Sequence, residues 1–284
     1  MGFTPNASGD RTILRPMLMP PPVDAHKYSR GHAMVWSGPA LHTGASRLSA
    51  QAALAVGAGL VTIVGQREAL AEHAANVTAI MLREADADSG FVDDRVTGFV
   101  VGPGAGKEVQ YAALKILGLN IPTVLDADAL TAFEGDPSML FNAVNPTDVM
   151  TPHMGEFRRL FPDIATENRQ EAVRRAAERA QCVVLLKGPH TWIAAPDGRT
   201  LVNRHASPWL ATAGSGDVLA GLMCGLLAQG VSSFDAACIG AWLHGDIGVR
   251  AGPGLTADSM IGHIPLVLRG CLNDAPDHGS GSRT

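Results

Sequence analysis

Asp217 stands directly after three closely spaced small residues and directly before a long apolar run, in "ATAGSGDVLAGLMCGLLAQG" from Ala211 to Gly230. Val218, Leu219, Leu222, Met223, Leu226 and Leu227 recur at helical spacing, and Gly230 can end the helix. Gly214, Ser215 and Gly216 therefore form a turn that feeds a helix N-terminus, where free backbone N–H groups and the helix dipole favour an anion. Asp217 is either an ordinary helix cap or a base held beside a phosphate. "KGPHT", Lys187 to Thr191, offers a second anion-binding element: a lysine at the end of an apolar run, then a glycine that admits close backbone approach. Its bland alternative is a surface lysine at a turn.

Further polar groups come from three shorter clusters. "TPHMGEF" (151–157) puts His153 and Glu156 at the mouth of a predicted helix, and Pro152 before the histidine favours a ligand contact. "LDADAL" (125–130) supplies Asp126 and Asp128, which suit an indirect role with Mg²⁺ beside phosphate or, equally, helix capping. "GPG" (102–104) is a strand-to-helix turn. It fits neither the GxGxxG dinucleotide fingerprint nor a P-loop. The histidines show no HExxH or comparable metal spacing, and no residue is assigned as a metal ligand.

The elements that must hold these groups alternate. Strands are predicted at 33–37, 60–64, 77–82, 97–101, 122–126, 148–151 and 182–187, with a hairpin over 191–203 turning at "PDG". Helices are predicted at 45–56, 67–75, 107–117, 154–160 and 167–180, then at 216–229, 233–250 and 256–269. Such alternation means a mostly parallel central sheet with helices on both faces. "SGP" (37–39), "GPG", "DAD" (126–128), "TPH" and "KGPH" each follow an expected strand. Parallel strands share one carboxyl edge, so clusters spread over 150 residues of sequence should converge on one crevice there.

Composition bounds the rest. The 284 residues are 46% hydrophobic and 17% charged, enough for a sizeable core. A net charge of −5 without a Lys/Arg cluster argues against nucleic-acid binding. Cys182, Cys224, Cys238 and Cys271 lie far apart with no CxxC pair, as reduced buried thiols do. The N-terminus lacks a signal-peptide core, and Asn6 stands where a myristoylation signal wants Ser or Thr. The longest apolar run, Val218 to Ala228, is too short for a bilayer. The expectation is a cytoplasmic protein without membrane contact. Residues 1–24 are expected as a flexible arm, 25–272 as a single catalytic domain, and 273–284 as a disordered tail.

In order, "HKYSRGHAMVWSGPALHTGASRLSAQAALAVGAGLVTIV", "VGPGAG", "VLDADAL", "TPHMGEFRRL", "LLKGPHTWIAAPDG" and "ATAGSGDVLAGLMCGLLAQG" resemble the ADP-dependent NAD(P)H-hydrate dehydratase family, which has a ribokinase-like fold. "WLHGDIG" and "GPGLTADSMI" continue the likeness, which runs from about His26 to Arg269. The resemblance implies repair of hydrated NADH and NADPH (NADHX and NADPHX): the added hydroxyl is phosphorylated from ADP, or from ATP, and phosphate is then eliminated. It implies Asp217 as the base. Ala45, Gly104, His153 and Asp217 would contact the hydrated dinucleotide. Lys187, Gly188, Pro189, His190 and Thr191, with Gly214, Ser215 and Gly216, would contact the adenine nucleotide. Mg²⁺, a homotetramer and a separate epimerase acting on the same hydrate are implied as well. "WSGP" (36–39) departs from the family's Gly-Gly-Ser-like turn, and Val249–Arg250 from its usual pair. The competing expectations are a vitamin-precursor kinase of the same fold and a catalytically silent nucleotide-binding protein.

Overall fold

The computed structural model describes residues 2–7, 11–85, 94–106 and 108–272. The expected tail and Lys107 lie outside the described residues. The chain opens with β1 (Gly2–Ala7) and β2 (Ile13–Met19), then β3 (His32–Trp36), α1 (Gly44–Ala55), β4 (Leu60–Gly65), α2 (Arg67–Ala74) and β5 (Met81–Glu84). There follow β6 (Gly98–Val101), α3 (Val109–Leu117), β7 (Thr123–Leu125), α4 (Asp128–Thr131), α5 (Pro137–Phe141) and β8 (Val149–Met150). α6 (Met154–Leu160) and α7 (Arg169–Ala180) precede β9 (Val183–Leu186), β10 (Thr191–Ala194) and β11 (Thr200–Asn203). A short 3₁₀ turn at Pro208–Leu210 leads to α8 (Ser215–Ala228), α9 (Ser233–Ala251) and α10 (Ala257–Cys271).

Among the described residues, nine strands form one sheet in the order β11-β10-β9-β8-β7-β6-β3-β4-β5. Strands β3 to β9 pair in parallel, while β10 and β11 add the antiparallel hairpin expected at "PDG". Strand residues alternate between two hydrophobic cores, as the period of two in a pleated strand requires. Ala33, Val35, Val100, Val124, Val183 and Leu185 face the core built with α1, α8, α9 and α10. Met34, Phe99, Val101, Leu125, Val184 and Leu186 face the core built with α3, α6 and α7. Both faces are covered, which is why these strands are continuous apolar runs.

The chain runs outward from β3 through β4 to β5, then returns to the other side of β3 for β6. The β3–β6 junction is thus the topological switch point, where open α/β sheets form a ligand crevice.

Three expectations change. The segment 1–24, expected as a loose arm, contains β1 and β2, paired antiparallel. Ile13 and Leu18 of β2 are buried, and the strand packs on α9 and α10. The expected strand 77–82 is displaced to Met81–Glu84, where three of four residues are exposed at the sheet edge. The short helices α4 and α5 were not anticipated.

Candidate active site

α8 is preceded by Gly214, whose φ of 86° lies in the left-handed region. A Cβ there would fall 2.7 Å from both Ala257 Cβ and Leu48 Cδ1, so conformation and space both favour glycine. Gly214 is the N-cap and Asp217 the third helical residue, so Asp217 is not the cap. The helix is docked tightly on α1: a Cβ on Gly221 would meet the Ser49 carbonyl oxygen at 2.2 Å, and one on Gly225 the Ala53 oxygen at 2.6 Å. Ser49 Oγ also donates to the Asp217 carbonyl at 2.8 Å. The start of α8 is therefore fixed relative to the sheet by backbone contact.

Opposite it, Lys187 extends from the end of β9 and donates to Asp126 Oδ1 at 2.6 Å. Asp126, at the end of β7, also accepts the Thr151 hydroxyl at 2.7 Å from the end of β8. The pair lies against the α8 entrance: a Cβ on Gly216 would stand 3.7 Å from Lys187 Nζ and 3.8 Å from Asp126 Oδ2. Burial alone would lower the Lys187 ammonium, but Asp126, Glu156 and Asp217 hold it above its ordinary range. Burial, reinforced by Asp126 and Asp128 and opposed by Lys187, pushes the Asp217 carboxyl up to about 6. Burial likewise raises Glu156. Three strand ends and the starts of α6 and α8 thus feed one electrostatic cluster.

Ala127, between the two aspartates, has φ 48° and ψ −116°, a costly conformation for alanine. Asp128 Oδ2 accepts the Gly106 N–H at 2.8 Å, tying α4 to the turn after β6. Asp128 is therefore engaged in holding that turn, while Asp126 remains beside Lys187. On the switch-point side, a Cβ on Gly104 would lie 3.1 Å from Ala45 Cβ and 3.0 Å from the His42 carbonyl oxygen. The expected dinucleotide contacts Ala45 and Gly104 are therefore neighbours.

A cavity of about 810 Å³ adjoins the α8 entrance, lined by Lys187, Gly188, Pro189, Thr191, Ser215 and Gly216, with His153 and the 203–212 segment. Six of the eight residues expected to hold the nucleotide share this lining. His190 is exposed and, like Gly214, lies outside it, as do Ala45, Gly104 and Asp217. His153 caps α6: its Nδ1 accepts the N–H groups of Gly155 and Glu156 at 2.9 and 3.2 Å, and Glu156 Oε2 accepts the His153 N–H at 2.7 Å. The other ring nitrogen, Nε2, lies 3.6 Å from Glu156 Oε1, so the same glutamate faces both ends of the cap.

His244 was not anticipated as a site residue. It reaches from α9 and sets Nε2 at 2.9 Å from Ser215 Oγ and 3.0 Å from the Ser215 carbonyl oxygen. Burial, with Lys187 acting in the same direction, lowers it to about 4, so it is neutral and pins the first residue of α8. The available signal was the polar pair His244 and Asp246 within the apolar run of α9.

A mostly parallel sheet with a glycine-rich turn opening a helix beside an Asp–Lys pair is the arrangement of a ribokinase-like fold. Solved structures share it. A *Bacillus subtilis* ADP/ATP-dependent NAD(P)H-hydrate dehydratase, co-crystallised with ATP/Mg²⁺, superposes with a TM-score of 0.78 at 24% identity, covering 90% of this chain and 95% of that one. An *Enterococcus faecalis* protein described as ribokinase-like superposes with a TM-score of 0.76 at 23% identity, covering 89% of this chain and 92% of that one. A family model described as NAD(P)H-hydrate dehydratase matches residues 33–262. The bifunctional NAD(P)H-hydrate repair enzyme Nnr of *Synechocystis* is 40% identical over 243 residues, 81% of this chain and 46% of the relative. The chain belongs to the NAD(P)H-hydrate dehydratase family. It spans about half the length of the curated relatives it matches.

Proposed function

We propose that this chain restores NADH and NADPH from their hydrates, NADHX and NADPHX, in an ADP-dependent dehydration. The observation that carries the reading is the placement of Asp217: a carboxyl raised to about 6, in the first turn of an anion-binding helix, facing a lysine. Hydroxide is a poor leaving group and phosphate a good one, so phosphorylation makes the elimination accessible. Asp217 accepts the hydroxyl proton as that oxygen attacks the terminal phosphorus of ADP, and the phosphorus–oxygen bond to AMP breaks. N–H groups at Gly214 to Gly216, with Lys187, stabilise the charge on the phosphoryl group in flight. In the second step the carbon–oxygen bond breaks, phosphate departs with the electron pair, and the neighbouring carbon releases a proton to re-form the double bond.

The cavity beside Lys187 to Thr191 is the proposed nucleotide site, with His153 in its lining, and Ala45, Gly104 and Asp217 line the proposed dinucleotide side. His190 and Gly214 act through their backbone in this scheme. Mg²⁺ suits the oxygen donors present. Among the described residues no cluster of three or more metal-ligating side chains occurs, so substrate phosphates would have to supply the remaining oxygens. Asp126 and Glu156 would hold it, and it would supply charge neutralisation on the phosphates. ATP in place of ADP, a homotetrameric assembly, an epimerase as functional partner and a cytoplasmic location belong to the same proposal. No helix among the described residues is long and apolar enough to cross a membrane.

The deciding experiment incubates the protein with ADP, Mg²⁺ and chemically hydrated NADH. Return of dihydronicotinamide absorbance with release of AMP and phosphate is the expected result. A stable phosphorylated product would instead make the chain a small-molecule kinase, and nucleotide binding without turnover would make it a silent binding protein.

A further inference from the structure

The loop that follows β3 carries an unusual residue. Leu41 has a φ of 69°, in the left-handed region, and its side chain is 90% exposed. A leucine stays there only when its surroundings impose the conformation. Here the imposing group is Glu72 of α2, whose two carboxylate oxygens accept the Leu41 N–H at 2.9 and 3.1 Å. Glu72 Oε2 also accepts the Thr43 hydroxyl at 2.9 Å, and Arg47 Nη1 donates to Thr43 Oγ1 at 3.0 Å. The Leu41 N–H and Thr43 hydroxyl, with Arg47, hold the Glu72 carboxyl below its ordinary range. The next residue of α2, His73, is fully buried, with Nε2 2.9 Å from Ser37 Oγ at the start of the loop. One short helix therefore fixes both ends of the segment 37–43.

That segment abuts the expected dinucleotide contacts. A Cβ on Gly38 would fall 2.0 Å from the Gly104 carbonyl oxygen, and the His42 carbonyl faces Gly104 beside Ala45. A shift of the loop would therefore move the backbone surface on which the hydrate must lie, while the nucleotide cavity does not include it.

We propose that Glu72 is a positioning residue for the dinucleotide side of the site, holding Leu41 in the left-handed conformation so that loop 37–43 keeps the Ala45–Gly104 surface in shape. This rests on the hydrate-dehydratase reading above. Glycine adopts the Leu41 conformation without support, and the exposed leucine side chain can be removed with little loss of packing. The test uses Glu72→Ala, Leu41→Gly and the double variant, with steady-state kinetics on hydrated NADH and amide hydrogen exchange across residues 37–43.

Glu72→Ala should raise KM for the hydrate about tenfold, with kcat and KM for ADP within about twofold of wild type, the pattern of lost ground-state positioning. Leu41→Gly alone should stay within about twofold, and adding it to Glu72→Ala should bring KM back to within about threefold of wild type. Exchange should quicken in Glu72→Ala and slow again in the double variant. An unchanged hydrate KM in Glu72→Ala, a parallel fall in kcat and in ADP affinity, or no rescue by glycine overturns the proposal. Wild-type protein inert toward hydrated NADH would refute the dehydratase reading instead. The exchange series would still decide whether Glu72 holds the loop.

Discussion

Replacing Asp217 by asparagine should move activity and stability in opposite directions. The carboxyl is raised from 3.8 to about 6 because burial, Asp126 and Asp128 outweigh the attraction of Lys187. At pH 7 roughly nine-tenths of it is ionised and ready to accept a proton. Wild-type kcat/KM for the hydrate should therefore climb with unit slope up to about pH 6 and level off above it. Asp217→Asn should lower turnover by about 10²–10⁴-fold and abolish that limb, while ADP still binds. The stability sign follows from the same shift. A carboxyl whose pKa is raised on folding binds protons more readily in the native state, so ionisation costs stability. The cost starts as pH rises past 3.8, grows to about 6, and stays complete above it. A shift of roughly two units sets the ceiling at about 3 kcal/mol, which a neutral asparagine would recover. Thermal melts at pH 8 should accordingly place the variant above wild type, and the gap should close by pH 4. A variant that turns over within a few-fold of wild type, or melts lower at pH 8, would refute the assignment of Asp217 as a strained base.

Lys187→Met removes the partner of Asp126, whose side chain is 3% exposed, and leaves a buried carboxylate with the Thr151 hydroxyl. It should cost about 3–5 kcal/mol in denaturant titrations. Adding Asp126→Asn should recover most of that stability without restoring ADP binding by calorimetry. Gly214→Ala adds a Cβ 2.7 Å from Ala257 and Leu48 at a φ of 86°, so unfolding free energy should fall by about 1–3 kcal/mol in denaturant titrations, with nucleotide affinity falling alongside it. His244 is lowered from 6.5 to about 4, so the unfolded chain takes up its proton first and stability drains away as pH falls between those values. Asp148 and Asp217, both raised to about 6, act the other way over part of that window. The measure is therefore the Tm difference between wild type and His244→Asn, which should shrink as pH falls from 6.5 to 4.

Much of this arrangement is legible before any coordinates, for identifiable reasons. Strands β3, β6, β7 and β9 are buried on both faces, so they appear as apolar runs, and the polar residue or glycine after each run marks the carboxyl edge. Asp126, Thr151 and Lys187 could be assigned to one crevice from that rule alone, and the hydrogen bonds among them agree. What escapes is whatever depends on contacts distant in sequence. β2 contains Pro16 and alternates weakly, so nothing local predicts a strand; its order comes from burying Ile13 and Leu18 against α9 and α10. β5 lies at the sheet edge with little buried surface, so the apolar letters before it mislead by several residues.

His153 shows the same limit at the level of chemistry. The sequence places it at a strand end and a helix mouth, and both roles compete for one ring. The capping box occupies Nδ1 with two N–H groups, which requires that nitrogen to be an unprotonated acceptor. The other ring nitrogen, Nε2, lies 3.6 Å from Glu156 Oε1, in a ring that lines the Lys187 cavity. A structural cap and a cavity-lining ring are then not alternatives. Helix capping fixes the ring's orientation, and that orientation sets Nε2 beside Glu156 in a ring that also lines the cavity.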